Sequence, residues 1–207
     1  MSQIKFIYFD MGNVLLYFDH VRAARQMAEL SGISQQSVWD LVFAGDLMQK
    51  YETGELDTAG FYAEYCRQTG SQPDLALLEH AASDIFTQNT SLLRVISQLQ
   101  YARYPLGVLS NTCPSHWEFA TRHYAAILPQ AFQVTVLSYK VGRIKPDPQI
   151  FTTAAKMAGF SPAEIFYCDD MPGHVQSARG VGFYAVQYVD TPTLVRDLQS
   201  AGVQFNA

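Results

Sequence analysis

Five polar residues stand where apolar runs break off, a lysine lies in a loop after another such run, and their types suit phosphoryl chemistry. Asp10 ends the run 4–9, Ser110 and Asn111 end 106–109, and Asp169 and Asp170 end 165–168. Lys145 lies in the loop after a further run, 134–137. Carboxylates brought to one place repel one another unless a hard cation joins them, and Mg²⁺ does so with few protein ligands, keeping room for phosphate oxygens. A lysine and a hydroxyl nearby can hold those oxygens. A carboxylate left unblocked can attack phosphorus and form an aspartyl-phosphate. Each residue also has a plainer use: Asp10 as a helix cap, Asp169 and Asp170 as a solvated turn, Lys145 as a loop lysine. Ser110 and Asn111 can cap the following helix and bind an anion at once, because helix N-termini attract anions.

The elements that must position these residues follow from the apolar pattern. The runs 4–9, 106–109, 134–137, 165–168 and 183–189 are continuous rather than alternating, as strands covered on both faces are. Helix-like segments lie between them, around Leu92–Leu99, 117–123, 150–157 (closed by Gly159) and 175–178. The β-α-β-α rhythm predicts an α/β fold, a doubly wound parallel sheet with right-handed crossovers. Ligands in such sheets gather at the carboxyl ends of the strands, where Asp10, Ser110, Asn111, Asp169 and Asp170 fall, with Lys145 in a loop after another strand. The tetrapeptide Ser161-Pro162-Ala163-Glu164 reads as a capping box that opens a short turn before the fourth run.

Residues 17–88 break the rhythm. Val21, Ala24 and Ala28, then Val38, Leu41 and Val42, then Phe61 and Tyr65 recur at helical spacing, and no strand-like run separates them. The spacing predicts an all-helical insertion over 17–88, acting as a cap on a core made of residues 1–16 and 89–207. Trp39, Phe43 and Tyr51 are expected mostly in the cap's interior.

The 207 residues carry a net charge of −5 and no basic block, which argues against nucleic acid or an anionic membrane as the main partner. A chain this long buries about 70% of its unfolded surface and needs no covalent staples. No apolar run approaches the ~18 residues of a membrane span. The N-terminal stretch lacks the apolar core and cleavage site of a signal peptide. Cys66, Cys113 and Cys168 are unpatterned and read as reduced thiols, so the expected location is the cytoplasm.

Four segments, in order along the chain, resemble the motifs of the haloacid dehalogenase-like superfamily, phosphatase branch. They are FDMGNVL with Asp10, VLSNT with Ser110, VGRIKPDPQIF with Lys145, and IFYCDDMPGHV with Asp169 and Asp170. YETGELDTAGFYAEY resembles the helical cap that many members insert after the first motif. The resemblance implies Asp10 as nucleophile, Ser110, Asn111 and Lys145 on the phosphate, and Mg²⁺ on Asp10, the Gly12 carbonyl, Asp169 and Asp170. It implies a small phosphorylated substrate. The pair D-x-G-N-V and S-N-T-x-x-x-H, here ending at His116, is similar to a subgroup that includes a bacterial sugar-1-phosphate phosphatase.

Two departures accompany the resemblance. Most phosphatases of the superfamily carry a second Asp, a proton donor, where Gly12 stands. The fourth motif often ends in Asp or Asn where this chain has His174. Gly12 can lend a carbonyl to a metal but cannot give a proton. Two other readings therefore stay open: a non-catalytic or regulatory protein of this fold, and a metal-independent dehalogenase, against which the Asp169-Asp170 pair argues. His20, His116 and His174 are expected to be mainly structural or surface residues, and Cys113 a passive small one.

Overall fold

The computed structural model describes residues 3–125 and 127–206. The predicted runs become strands β1 (Phe6–Phe9), β4 (Leu106–Ser110), β5 (Val134–Leu137), β6 (Ile165–Asp169) and β7 (Tyr184–Gln187) of one sheet. Its order is β5-β4-β1-β6-β7, and every neighbouring pair is parallel. β1 lies in the middle, so its residues are buried from both sides: Ile7 and Phe9 join one apolar cluster, Phe6 and Tyr8 another. Gly107 gives Tyr8 its room, because a Cβ at that position would lie 2.4 Å from the Tyr8 ring.

Helices cover both faces. The first cluster takes residues of α6 (Leu93–Tyr101), α7 (Pro114–His123) and α11 (Thr191–Ser200); the second takes residues of α9 (Pro148–Ala158) and α10 (Pro172–Val181). Their ends follow local rules. Asp147 caps α9 through the Gln149 N–H, with Pro148 at its first position, and Gly159 ends it in the left-handed conformation at φ +76°. The capping box at Ser161 and Glu164 forms, on a single 3₁₀ turn that leads straight into β6.

The insertion contains α1 (His20–Ser31), α2 (Gln35–Val38) with a π-helical turn, α3 (Leu47–Glu52), α4 (Thr58–Thr69) and α5 (Leu75–Ser83). Its apolar cluster includes Ala24, Met27, Val42, Tyr51, Phe61, Tyr65 and Leu78. The expectation that 17–88 is wholly helical is corrected at both ends. β2 (Leu16–Phe18) and β3 (Phe86–Gln88) pair antiparallel as a two-stranded ribbon. Three-residue strands are too short to show a period, and here the pairing comes from bringing the two chain ends of the insertion together. No helix among the described residues is long and apolar enough to cross a membrane.

Candidate active site

Parallel strands end side by side, so β1, β4 and β6 deliver Asp10, Ser110 and Asp169 to one edge of the sheet. The Asp10 N–H is held by the Cys168 carbonyl at 3.0 Å, which extends the ladder to the acid itself. Lys145 reaches into this edge from the loop before α9. Its ammonium lies 2.9 Å from Asp10 Oδ1 and 2.7 Å from Asp169 Oδ2, and it donates to the Leu109 carbonyl at 3.1 Å and the Tyr167 hydroxyl at 3.0 Å. Asp10, Lys145 and Asp169 are all buried.

Burial of charge at this density shifts all three groups. Burial alone would lower the Lys145 ammonium, but Asp10 and Asp169 outweigh it and hold it above its ordinary value. Burial would also raise Asp169, yet Lys145 and His174 hold its carboxyl well below the usual carboxylate range. Asp10 goes the other way. Burial lifts it to about 8, with Lys145 opposing and Asp169 and Asp170 adding to the rise. One ammonium does not neutralise three acids, and Asp10 bears the excess.

That imbalance marks a place for a cation. Asp10, Asp169 and His174 each bring a donor atom within 4.8 Å of the others. The Asp169 oxygens, however, are already taken. Oδ2 accepts from Lys145 and from the Tyr167 hydroxyl, and Oδ1 accepts from the Met171 N–H at 2.8 Å. His174 Nδ1 lies 3.0 and 3.1 Å from the two oxygens. Asp170 is less committed: its Oδ2 accepts from the Asn13 amide at 3.0 Å. The Gly12 carbonyl is also free of the local bridge to Leu16, whose bonds run through the Asn13 N–H and the Met11 carbonyl. Carboxylate and carbonyl oxygens suit a hard cation such as Mg²⁺, and Asp10, Gly12 and Asp170 are the donors with capacity left.

The other expected residues are placed less uniformly. The Ser110 hydroxyl is at the site, with the Asn111 carbonyl, at 3.2 Å, as its hydrogen-bond partner. The Asn111 side chain, expected on the phosphate, turns to the lysine loop instead: its Oδ1 accepts from the Lys145 N–H at 2.7 Å and its Nδ2 donates to the Lys145 carbonyl at 3.0 Å. It therefore fixes the backbone that carries the ammonium. His116 is structural rather than at the surface. It is buried, packs edge-on to Phe86, and its Nε2 donates to the Ala82 carbonyl of the cap at 3.2 Å. Cys113 joins the cap's apolar cluster, where burial pushes its thiol up to about 12 and makes it inert.

Gly12 is covered rather than open. A Cβ there would stand 2.9 Å from the Phe18 ring, which begins a stack running Phe18–His20–Phe43–Trp39 with centroids 4.6, 4.7 and 5.4 Å apart. Burial lowers His20 to about 4, so it is neutral near pH 7. Of the expected cap-interior aromatics, Tyr51 is fully buried, while Trp39 and Phe43 are half-buried in this stack.

Three contributors escape a reading of the sequence. Tyr167 looks like one more apolar residue of β6, although it lies two places before Asp169 and so on the same face of the strand. Asn13 takes φ +53°, a conformation Asn tolerates better than most residues, and from there reaches Asp170. The Ser138 hydroxyl clips the Ser110 loop, accepting from the Thr112 N–H and donating to the Thr112 carbonyl, both at 2.9 Å.

Known proteins resemble the chain along most of its length. It is 26% identical over 192 residues to D-ribitol-5-phosphate phosphatase of Bacteroides thetaiotaomicron, covering 89% of this chain and 91% of that one. It is 26% identical over 153 residues to bifunctional epoxide hydrolase 2 of Rattus norvegicus, covering 69% of this chain but only 28% of that larger protein. In structure it superposes on a HAD family enzyme of Bacteroides thetaiotaomicron, solved with magnesium and inorganic phosphate. The TM-score is 0.80 at 22% identity, covering 92% of this chain and 98% of that one. The family model for haloacid dehalogenase-like hydrolases matches residues 4–182, and the chain belongs to that family.

Proposed function

We propose that the protein is a Mg²⁺-dependent phosphatase acting on a small phosphorylated metabolite, with Asp10 as the nucleophile. The observation that carries this reading is the buried Asp10–Lys145–Asp169 network at the strand ends, in which one ammonium lies 2.9 Å from Asp10 and 2.7 Å from Asp169 and burial, joined by the neighbouring acids, raises the Asp10 carboxyl. Relatives that share most of the chain's length include a phosphatase of a polyol phosphate.

Asp10 attacks phosphorus, and the bond to the leaving alcohol breaks. Lys145 holds a phosphoryl oxygen and balances its charge, which grows in the transition state. The Ser110 hydroxyl turns from the Asn111 carbonyl to a second oxygen. Bound at Asp10, the Gly12 carbonyl and Asp170, Mg²⁺ would supply charge stabilisation and orient the phosphate. Asp169 would add its negative charge beside such a cation, while its own oxygens are held by Lys145, Tyr167, Met171 and His174.

The D-x-G-N-V and S-N-T-x-x-x-H segments resemble a subgroup that includes a sugar-1-phosphate phosphatase. We therefore place hexose 1-phosphates ahead of 6-phosphates, and the cytoplasm, where such esters and reduced thiols coexist, as the site of action. Phosphate release from glucose 1-phosphate with and without EDTA tests the reading. Turnover that stops on chelation and returns with Mg²⁺ supports it. No turnover points to a non-catalytic protein, and chelator-resistant turnover excludes the metal.

A further inference from the structure

With Gly12 at the usual donor's place and Phe18 filling the space above it, no proton can come from that strand. The other titratable groups near Asp10 are engaged elsewhere. Lys145 and Asp169 hold each other, and His174 and the Tyr167 hydroxyl hold Asp169. Asp170 accepts from Asn13 and is taken by the cation in the phosphatase reading, and His116 is bound to the Ala82 carbonyl. His20 lies between two aromatic rings.

One carboxyl remains, and it comes from the cap. Glu52 is the last residue of α3, between two points where cap and core touch. Tyr51, just before it, is buried in the cluster that also takes in Cys113 from the start of α7. Gly54, just after it at φ +74°, is pressed against the core: a Cβ there would lie 2.3 Å from the carbonyl oxygen of Tyr139, next to Ser138. Glu52 thus lies at the seam of cap and core, between the cluster that holds Cys113 and the Gly54–Tyr139 contact. The charged and titratable groups that face it are Lys145 from the loop before α9, and His116 and Cys113 from α7. Among the described residues its carboxyl has no hydrogen-bond or ion-pair partner. Burial raises its affinity for a proton, against the opposing pull of His116 and Lys145.

We propose that Glu52 is the proton donor to the leaving oxygen, doing from the cap what position 12 cannot do from the core. The proposal rests on the phosphatase reading. As the bond from phosphorus to the ester oxygen breaks, that oxygen keeps the electron pair and takes the Glu52 proton, while phosphorus passes to Asp10. Glu52, now a carboxylate, takes a proton from the water that attacks the aspartyl-phosphate. That step yields hydrogen phosphate, ionised Asp10 and Glu52 in its starting form.

Phenyl phosphate and p-nitrophenyl phosphate test it, because they share a ring and lack sugar hydroxyls but differ in how much their leaving group needs a proton. The specificity constant kcat/KM reports the step that releases the phenol. General acids contribute about 10²–10⁴-fold. In Glu52→Gln, kcat/KM for phenyl phosphate should fall by about 10²-fold or more, and for p-nitrophenyl phosphate by less than about tenfold. Glu52→Asp, which keeps the acid on a shorter arm, should show the same ordering with smaller losses. Equal losses on both esters in a folded variant, or no loss on either, overturn the proposal. A wild type that hydrolyses neither ester with Mg²⁺ present overturns the phosphatase reading itself.

Discussion

The floor of the site and the cap above it are held by different forces. On the floor, Lys145 meets four oxygens, Asp169 meets donors from four residues, and Asn111 ties down the lysine's backbone by two hydrogen bonds. In the cap, an apolar cluster gives the stability, and the ties to the core include one histidine bond and the Gly54–Tyr139 contact. Directional bonds fix distances closely, whereas apolar contacts tolerate repacking. The buried acids and their lysine therefore sit where geometry is rigid, and the cap above them is the part that can repack.

The largest effect should come from breaking the floor chemically. Asp10→Asn keeps size and most contacts but removes the proposed nucleophile, so turnover should fall by at least about 10³-fold. Steady-state rates on glucose 1-phosphate check this, and a residual rate above a few per cent would exclude covalent catalysis at Asp10. Next comes Lys145→Met, measured by urea unfolding in EDTA. It strands Asp10 and Asp169 without a countercharge, and losing one partner of a buried ionic group costs about 3–5 kcal/mol. A cap substitution of similar burial, Leu78→Ala, should cost about 2–5 kcal/mol while leaving Asp10 chemistry intact.

How much of this contrast the sequence discloses depends on the range of the interaction. Strand ends are local events, so the positions of Asp10, Ser110 and Asp169 follow from where apolar runs stop. The pairing of Asn111 with Lys145 spans 34 residues and depends on a tertiary approach, so the motif alone suggests a phosphate ligand where the structure has a loop clamp. Phe18 over Gly12 is hidden for the same reason, since a glycine in a motif does not say what fills the space it leaves. The ribbon at the base of the cap is invisible because three residues have no period. Tyr167 is hidden by its own ring, which suits an apolar run while its hydroxyl serves the lysine.

A smaller effect tests the seam between the two regions. Gly12→Ala places a Cβ against the Phe18 ring, and overpacking of this kind costs about 1–3 kcal/mol. Phe18→Leu in the same chain should recover much of it, and a cost that Phe18→Leu leaves unchanged would locate the strain elsewhere.

An effect of similar size, visible only as pH falls, comes from His20. Its folded pKa, about 4, lies below the ordinary 6.5, so the native state favours the neutral ring. The associated stability is fully present above pH 6.5 and is lost as pH falls towards 4. Partial exposure reduces the full linkage value, leaving about 2 kcal/mol. The stability of His20→Phe relative to wild type should therefore rise by that amount between pH 7 and pH 4, and a gap constant with pH would show that the ring titrates normally.

The ribbon has a consequence for how such proteins diversify. Leu16 stands opposite Gln88 and Phe18 opposite Phe86, and the Asp19 N–H donates to the Ile85 carbonyl at 3.2 Å. The chain thus leaves the core and returns to it at neighbouring points. Insertions with adjacent ends disturb their host least. Between residues 19 and 85 a lineage can exchange one roof for another, or lengthen it, without re-registering any strand of the sheet beneath. The ribbon makes the segment a cassette, and an altered cap can be accommodated without rebuilding the surroundings of Asp10.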